Sequence, residues 1–358
     1  MIGGSAYHLP MVERVLLAEP RGFCAGVEMA IKALTWMVRV FEPPVYCYHE
    51  IVHNRWVVQA FEKAGVVFVD DVADVPEGAP VMLSAHGSAP EVIEGAAARA
   101  AVVIDAVCPL VTKVHHEVRR MADRGFEILY VGHEGHDEAV GTVAVAPEAI
   151  TLVEPEEGLG EFQAEGGARV ALVAQTTLGL FEWQSVLDQA RERFPDLWTP
   201  RKADLCYATT NRQAAVQELA RRCDLVLVVG SETSSNTRAL VRVASESGAD
   251  ARRIDGAGDI EDGWLRGVGT VGVTAGASAP DHLVQEVIDR LAPRSGVELV
   301  AVTSEDEYFP LPPQLRAFVS TLQRLVEASV TARALGRPGR LEGDRGWSAT
   351  EALASLHS

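Results

Sequence analysis

Three cysteines carry the first chemical signal. Cys24 lies in "EPRGFCAGVEMAI", Cys108 in "VVIDAVCPLVTKVHHEVRRMA" and Cys206 in "RKADLCYATTNRQAAVQELA". Each stands where a loop gives way to a helical pattern, so each is expected at a helix N-terminus, where the dipole and free N–H groups favour a thiolate. Cys24 to Cys108 spans 84 residues and Cys108 to Cys206 spans 98, about one small α/β unit apiece. This spacing suggests three similar lobes that each offer one thiolate to a common centre, although no strict sequence repeat is present. Cys47 in "PPVYCYHE" and Cys223 after "AAVQELARR" read instead as small buried hydrophobes. Three cysteines without a CxxC pair do not suit a zinc ribbon, and five in a long chain do not make a secreted disulfide scaffold. Three thiolates with an open fourth position suit a cubane iron–sulfur cluster, whose fourth iron acts as a Lewis acid while the cluster supplies electrons. On spacing alone, unrelated buried thiols remain the alternative.

The elements that must position these thiols are strands and helices in alternation. The apolar runs "RVLLA", "PVYCY", "PVMLSA", "AVVIDA", "EILYVG", "RVALVAQ", "LVLVVG" and "TVGVTAG" are separated by amphipathic helical patterns. Continuous Val/Leu/Ile runs of this kind imply parallel sheets covered on both faces, hence an α/β fold. Five of the strands run into "SAHGSAP", "GHEGHDEAVGT", "AQTTLG", "GSETSSNT" and "TAGASAP". Any one such tail is also what a turn or an N-cap requires. Five together point to ligand binding at the carboxyl ends of the strands, where helix N-termini supply N–H donors.

The 358 residues allow two or three domains, and the 47% hydrophobic content fills more than one core. Fifty acidic against 32 basic residues give a net charge of −18, which opposes non-specific binding to nucleic acid or to an anionic membrane. No run approaches the ~18 apolar residues of a membrane span, and "MIGGSAYHLPMVERV" lacks the basic and apolar regions of a signal peptide. A cytoplasmic protein is expected. No GxGxxG dinucleotide motif is evident.

The motifs "RGFCAGV", "HEIVHNRWVV", "SAHG", "DAVCPLV", "GHEGHDE", "QTTL", "ATTNRQ", "SSNT" and "TAGASAP", in this order from about residue 14 to residue 315, closely resemble the 4-hydroxy-3-methylbut-2-enyl diphosphate reductase family. That resemblance implies a trefoil of three α/β domains around a central 4Fe-4S cluster, one per subunit. Cys24, Cys108 and Cys206 then match its three ligands, with the fourth iron open to the substrate hydroxyl. His53, His86, Ser234, Ser235, Asn236 and Ser278 match the diphosphate-binding positions. His136 and Glu138 match the substrate-contacting histidine and the acid of the proton-delivery network, and Thr176 and Asn211 complete the polar lining. Read as residues alone, His53 could equally cap the following helix, "SSN" is another N-cap pattern, and Glu138 suits a solvated helix N-terminus. His49 reads as structural.

The sequence departs from the family pattern at Met29, where Arg is more frequent, and at Asp137, Ala139 and Val140, where a Pro-Glu-Val-acid-Gly-Thr run is usual. The implied activity is reductive dehydroxylation of the allylic diphosphate to isopentenyl and dimethylallyl diphosphates, the last step of the non-mevalonate isoprenoid pathway, with ferredoxin or flavodoxin as electron donor. The altered segment motivates a second reading, a cluster-bearing redox sensor or diphosphate-binding paralogue without turnover. The expected organisation is an N-terminal extension (1–12), lobes at 13–108, 109–202 and 203–292, a segment near the active site (293–315) and an extension (316–358). The first strand is allowed to pair with the third lobe. The extension reads as a helical stretch followed by a polar tail expected to be disordered.

Overall fold

Among the described residues every pair of named strands is parallel, as apolar strands joined by helices require. The computed structural model describes residues 12–164, 167–200, 204–328 and 345–357. In chain order the strands are β1 (Arg14–Glu19), β2 (Val45–Tyr48), β3 (Val66–Val69), β4 (Pro80–Leu83), β5 (Val102–Asp105), β6 (Phe126–Val131), β7 (Ile150–Val153), β8 (Arg169–Ala174), β9 (Leu225–Val229), β10 (Asp250–Ile254), β11 (Thr270–Ala275) and β12 (Val297–Ala301). The helices are α1 (Ala25–Val40), α2 (Arg55–Lys63), α3 (Pro90–Arg99), α4 (Pro109–Asp123), α5 (Asp137–Val143), α6 (Leu180–Arg193), α7 (Tyr207–Ala220), α8 (Ser235–Glu246), α9 (Asp281–Leu291), α10 (Pro313–Ala328) and α11 (Ala349–Ala354).

The strands form three sheets, in the orders β10-β9-β11-β1-β12, β3-β2-β4-β5 and β7-β6-β8. The α/β class is as expected, and all eight apolar runs are strands. Four strands were not anticipated: β3, β7, β10 and β12. All four lie at sheet edges, where one side meets solvent and the apolar signal thins, as in "DARRI" of β10.

The chain divides into two compact units. One is built from the described residues of Met1–Phe23, Thr177–Gln184 and Leu205–Asp306, and holds the five-stranded sheet. Its core joins Leu16 of β1 and Val226 and Val228 of β9 to Val216 and Leu219 of α7 and Leu240 and Val243 of α8. Burial of each such side chain contributes about 1.5–3 kcal/mol. The other unit comprises Cys24–Thr176, Ser185–Asp204 and the described part of Glu307–Ser358, with both smaller sheets. There Val114, Val118 and Met121 of α4 pack on Phe126, Ile128 and Tyr130 of β6 and on Ala171 and Val173 of β8. The border between Asp204 and Leu205 falls two residues past the expected lobe limit at 202, and no unit border falls at 108.

The tail differs from the expectation of disorder over residues 345–357. Ser348 and Glu351 form a capping box at the start of α11. Trp347 meets Trp36 edge-on with centroids 6.4 Å apart, Arg39 lies over the Trp347 ring at 4.7 Å, and Ala349 N–H donates to Glu28 Oε2 at 2.7 Å. These contacts fasten the segment to α1, and a tail with that much apolar and charged complementarity has reason to order. Residues 329–344, which include the end of the expected helical stretch, lie outside the described residues.

Candidate functional site

Cys24, Cys108 and Cys206 are the N-cap residues of α1, α4 and α7. Each has extended backbone just before the first helical turn, which places the residue at the N–H end of a helix; of the three thiols, Cys206 alone caps its helix with the side chain. Cys206 Sγ accepts from Thr209 N at 3.2 Å and lies 3.0 Å from Thr209 Oγ1. All three are half-buried. Gly26 shows how tightly two of the thiols are seated: a Cβ there would stand 2.9 Å from Cys108 Sγ and 3.8 Å from Cys24 Sγ. Cys108 N–H donates to Ala85 O at 3.0 Å, which ties that thiol to the loop carrying His86. Cys47 and Cys223 behave differently. Burial raises the Cys47 thiol pKa and pushes that of half-buried Cys223 up to about 12, which favours the protonated thiol at both. Three cysteines at helix N-cap positions fit an iron–sulfur group held by thiolates.

Arg212, on α7, was not singled out from the sequence although it lies within "ATTNRQ". Its side chain is fully buried. It donates to Gly22 O at 2.7 and 3.2 Å and to Phe23 O at 3.4 Å, and pairs with Glu305 at 2.9 Å. The guanidinium thus holds the two carbonyls that precede Cys24. Gly22 itself has φ 64°, the left-handed region, and a Cβ there would meet Ala279 O at 3.1 Å.

A second group lies at the ends of β2, β4 and β6. The His53 and His86 rings stack with centroids 3.9 Å apart and planes 10° from parallel, and His136 meets them edge-on at 5.2 and 5.9 Å. Asn54, not His53, caps α2, accepting from Trp56 N and Val57 N, while His53 Nδ1 lies 3.2 Å from Glu50 Oε2. Asp137 closes the cluster: Oδ1 accepts from His49 Nδ1 at 2.8 Å, and Oδ2 lies 3.6 Å from His86 Nδ1 and 3.9 Å from His53 Nε2. Burial by itself would raise the Asp137 pKa, but the His49 hydrogen bond and the charges of His49, His53 and His136 outweigh it and hold the carboxyl below its ordinary value. His49 is raised in turn, chiefly by its bond to Asp137. His86 is held well below its ordinary value, first by burial and then by the neighbouring imidazoles. His53, His86 and Asp137 offer three ligand atoms within 4.8 Å of one another.

Glu138 is 2% exposed, not a solvated helix-end acid. Thr176 N donates to its Oε1 at 2.6 Å and Thr176 Oγ1 to its Oε2 at 2.9 Å. His136 caps α5, its Nδ1 accepting from Glu138 N at 3.2 Å. Burial pushes the Glu138 pKa up to about 7 against the opposing Thr176 bonds. A carboxyl with that value can hold or release a proton near neutrality.

The remaining polar residues gather in the other unit, at the ends of β9 and β11. Ser234 caps α8 by accepting from Thr237 N, and Asn236 Oδ1 accepts from Ala277 N at 3.0 Å, next to Ser278. Ser235 Oγ and Asn236 Nδ2 are buried with no hydrogen-bond partner among the described residues, donors that an oxyanion would satisfy. Asn211 Nδ2 donates to Glu305 Oε1 at 3.1 Å. Thus His53, His86, His136, Glu138, Thr176, Cys24 and Cys108 belong to one unit, and Cys206, Asn211, Ser234, Ser235, Asn236 and Ser278 to the other. His49 and Asp137 join the first group without a sequence signal that assigned them there.

A family model described as LytB protein matches residues 15–292. The chain is 50% identical over 316 residues to a 4-hydroxy-3-methylbut-2-enyl diphosphate reductase of Mycobacterium ulcerans (strain Agy99), covering 87% of this chain and 95% of that one. It is 47% identical over 309 residues to a protein of the same name from Rhodopirellula baltica, covering 86% and 97%. Among solved structures it resembles the E-1-hydroxy-2-methyl-but-2-enyl-4-diphosphate reductase from Plasmodium falciparum, with TM-score 0.84 and 31% identity over 88% of this chain and 100% of that one.

Proposed function

The chain belongs to the LytB protein family, and from that premise we propose that it reductively removes the hydroxyl group of 4-hydroxy-3-methylbut-2-enyl diphosphate. The observation that carries this reading is Glu138, buried, doubly bonded to Thr176 and pushed up to about 7. The balance requires it: one C–O bond breaks, two electrons and two protons are consumed, and water leaves with isopentenyl or dimethylallyl diphosphate according to which end of the allylic framework gains hydrogen. Cys24, Cys108 and Cys206 are the proposed ligands of one 4Fe-4S cluster, supported by their shared place at helix N-caps. When bound, that group supplies the electrons and Lewis acidity toward the leaving oxygen.

The protein's own residues do the rest. His53 and His86, with Ser234, Ser235, Asn236 and Ser278, anchor the diphosphate, because a dense anion needs several donors when it leaves water. Glu138 delivers a proton to the departing oxygen. Thr176 fixes the orientation of that carboxyl through both oxygens, and His136 fixes the first turn of α5 from which it projects. Asn211, bonded to Glu305, is proposed to complete the polar lining. Electrons are supplied by a ferredoxin or flavodoxin, since the sequence has no dinucleotide motif. The redox-sensor alternative has no need of a buried carboxyl tuned to neutrality, and the retained Glu138–Thr176 pair favours turnover.

The test is to incubate anaerobically purified protein with the hydroxylated diphosphate and dithionite and to separate the products. Both isomers are expected. An iron-replete protein that gives neither is a sensor or binding protein instead.

A further inference from the structure

The net charge of −18 makes any concentration of cations on this chain informative. Lys113, His116 and Arg120 recur at helical spacing on the exposed face of α4, and Arg316 of α10 stands exposed across from them. The four line one cavity of about 680 Å³. Its apolar wall is Met29, Val107 and the Pro310–Pro313 run. Val107 and Pro109, both in the lining, flank Cys108 on either side, and Met29 lies five residues beyond Cys24 on α1. The cavity therefore reaches the first turn of α4 and the second turn of α1, both thiol-bearing helices.

Two carboxylates share the cavity. Asp105 accepts from Val107 N at 3.0 Å, and Glu117 lies 3.8 Å from Lys113, which also stands 3.5 Å from buried Asp204. Lys113 is thus partly neutralised in place. Arg120 and Arg316 form no ion pair among the described residues; the one recorded partner of the Arg120 guanidinium is the Trp198 ring, at 5.9 Å. Two unpaired guanidinium groups on a strongly acidic chain, placed around an apolar floor, make the charged rim and apolar centre of a transient protein interface.

We propose that this cavity is the docking site of a small acidic electron-carrier protein, with Arg120 and Arg316 as its main charge contacts and the Met29–Val107–Pro109 floor as the point of closest approach to the cluster ligands. The proposal rests on the reductase reading, which needs two electrons from outside the chain. An interface of this class buries on the order of 1,000 Å² and is held by steering charge more than by area. It also resolves how an acidic carrier meets an acidic enzyme: the encounter is guided by a local field whose sign is opposite to the net charge.

The test compares the holoenzyme with its Arg120→Glu/Arg316→Glu variant, using a reduced acidic ferredoxin and, separately, dithionite. With ferredoxin, KM for the carrier is expected to rise about tenfold and the parent's loss of rate with added NaCl to flatten. With dithionite, kcat and KM for the diphosphate are expected to be unchanged. Unaltered ferredoxin KM and salt dependence overturn the proposal, and so does an equal loss with both reductants, which makes the cavity part of the substrate site or of the folded framework. If inorganic phosphate competes with the diphosphate in the parent but not in the variant while the ferredoxin KM stays the same, the cavity is a small-anion site and the proposal fails. Should the parent be inactive with dithionite, the reductase reading fails separately, and calorimetric binding of the ferredoxin to parent and variant at low salt still decides the docking surface.

Discussion

Asp137 Oδ1 and His49 Nδ1 stand 2.8 Å apart, and the other Asp137 oxygen faces His53 and His86 at 3.9 and 3.6 Å. A carboxylate thus stands among the histidines proposed to anchor the diphosphate. In the ligand-free protein it acts as a resident anion, neutralised by His49.

Replacing this carboxylate reports on the pair directly. His49 is raised chiefly by the Asp137 hydrogen bond and Asp137 is depressed by His49. The pair's contribution to stability is complete only above the ordinary Asp pKa and below the ordinary His pKa. It is lost as pH falls through the depressed Asp value or rises through the elevated His value. In Asp137→Asn, histidine NMR should show His49 titrating at lower pH than in the parent. An unmoved His49 titration contradicts the pairing.

Anion binding at the stacked histidines should take up protons. His86 is held well below its ordinary pKa by burial and by neighbouring imidazoles, so near neutrality it is uncharged until an anion arrives and favours its imidazolium. Calorimetry with inorganic pyrophosphate in buffers of different ionisation enthalpy should show net proton uptake, with affinity rising as pH falls from 8 to 6. Zero uptake places the diphosphate elsewhere.

As the proposed proton donor, Glu138 should set the alkaline limb of turnover. Its pKa of about 7 means that the acid form is depleted as pH rises through neutrality, so kcat should fall there. Glu138→Gln should lose about a hundredfold or more in kcat with little change in KM. Its stability should gain at pH 8, because the folded carboxyl binds its proton more tightly than the unfolded one and stability declines as pH rises between 4.5 and about 7. Thr176→Val removes a donor to the carboxylate and should move the kcat limb to higher pH; an unmoved limb assigns it to another group.

Much of this was legible in the sequence, for identifiable reasons. Central strands buried on both faces announce themselves as apolar runs, whereas the four unanticipated strands are all edges. The thiols at helix starts were legible because a loop-to-helix junction has a local grammar. His49 was not, since its role depends on a left-handed φ of 57° and on a carboxylate 88 residues away. Asp137 was visible only as a departure from a pattern; its meaning lies in three rings brought to it by other strands. Arg212 was hidden for the same reason, a cation whose partners Gly22 and Glu305 are distant in sequence.

Gly26 offers a steric probe of the thiol pair. A methyl group there would stand 2.9 Å from Cys108 Sγ, well inside contact distance, so Gly26→Ala should lower iron and sulfide content while near-native circular dichroism is retained. Full cluster occupancy in this variant contradicts the close seating of Cys24 and Cys108 about it.

The central claim is that Cys24, Cys108 and Cys206, the three cysteines at helix N-cap positions, and not Cys47 or Cys223, hold the group that drives the reaction. Iron and acid-labile sulfide, measured on the five single Cys→Ser variants purified without oxygen, test it most directly. Cys24→Ser, Cys108→Ser and Cys206→Ser should lose most of both together with dithionite-driven turnover, while Cys47→Ser and Cys223→Ser keep them. Equal loss from all five, or a full complement in Cys24→Ser, Cys108→Ser and Cys206→Ser, would contradict it.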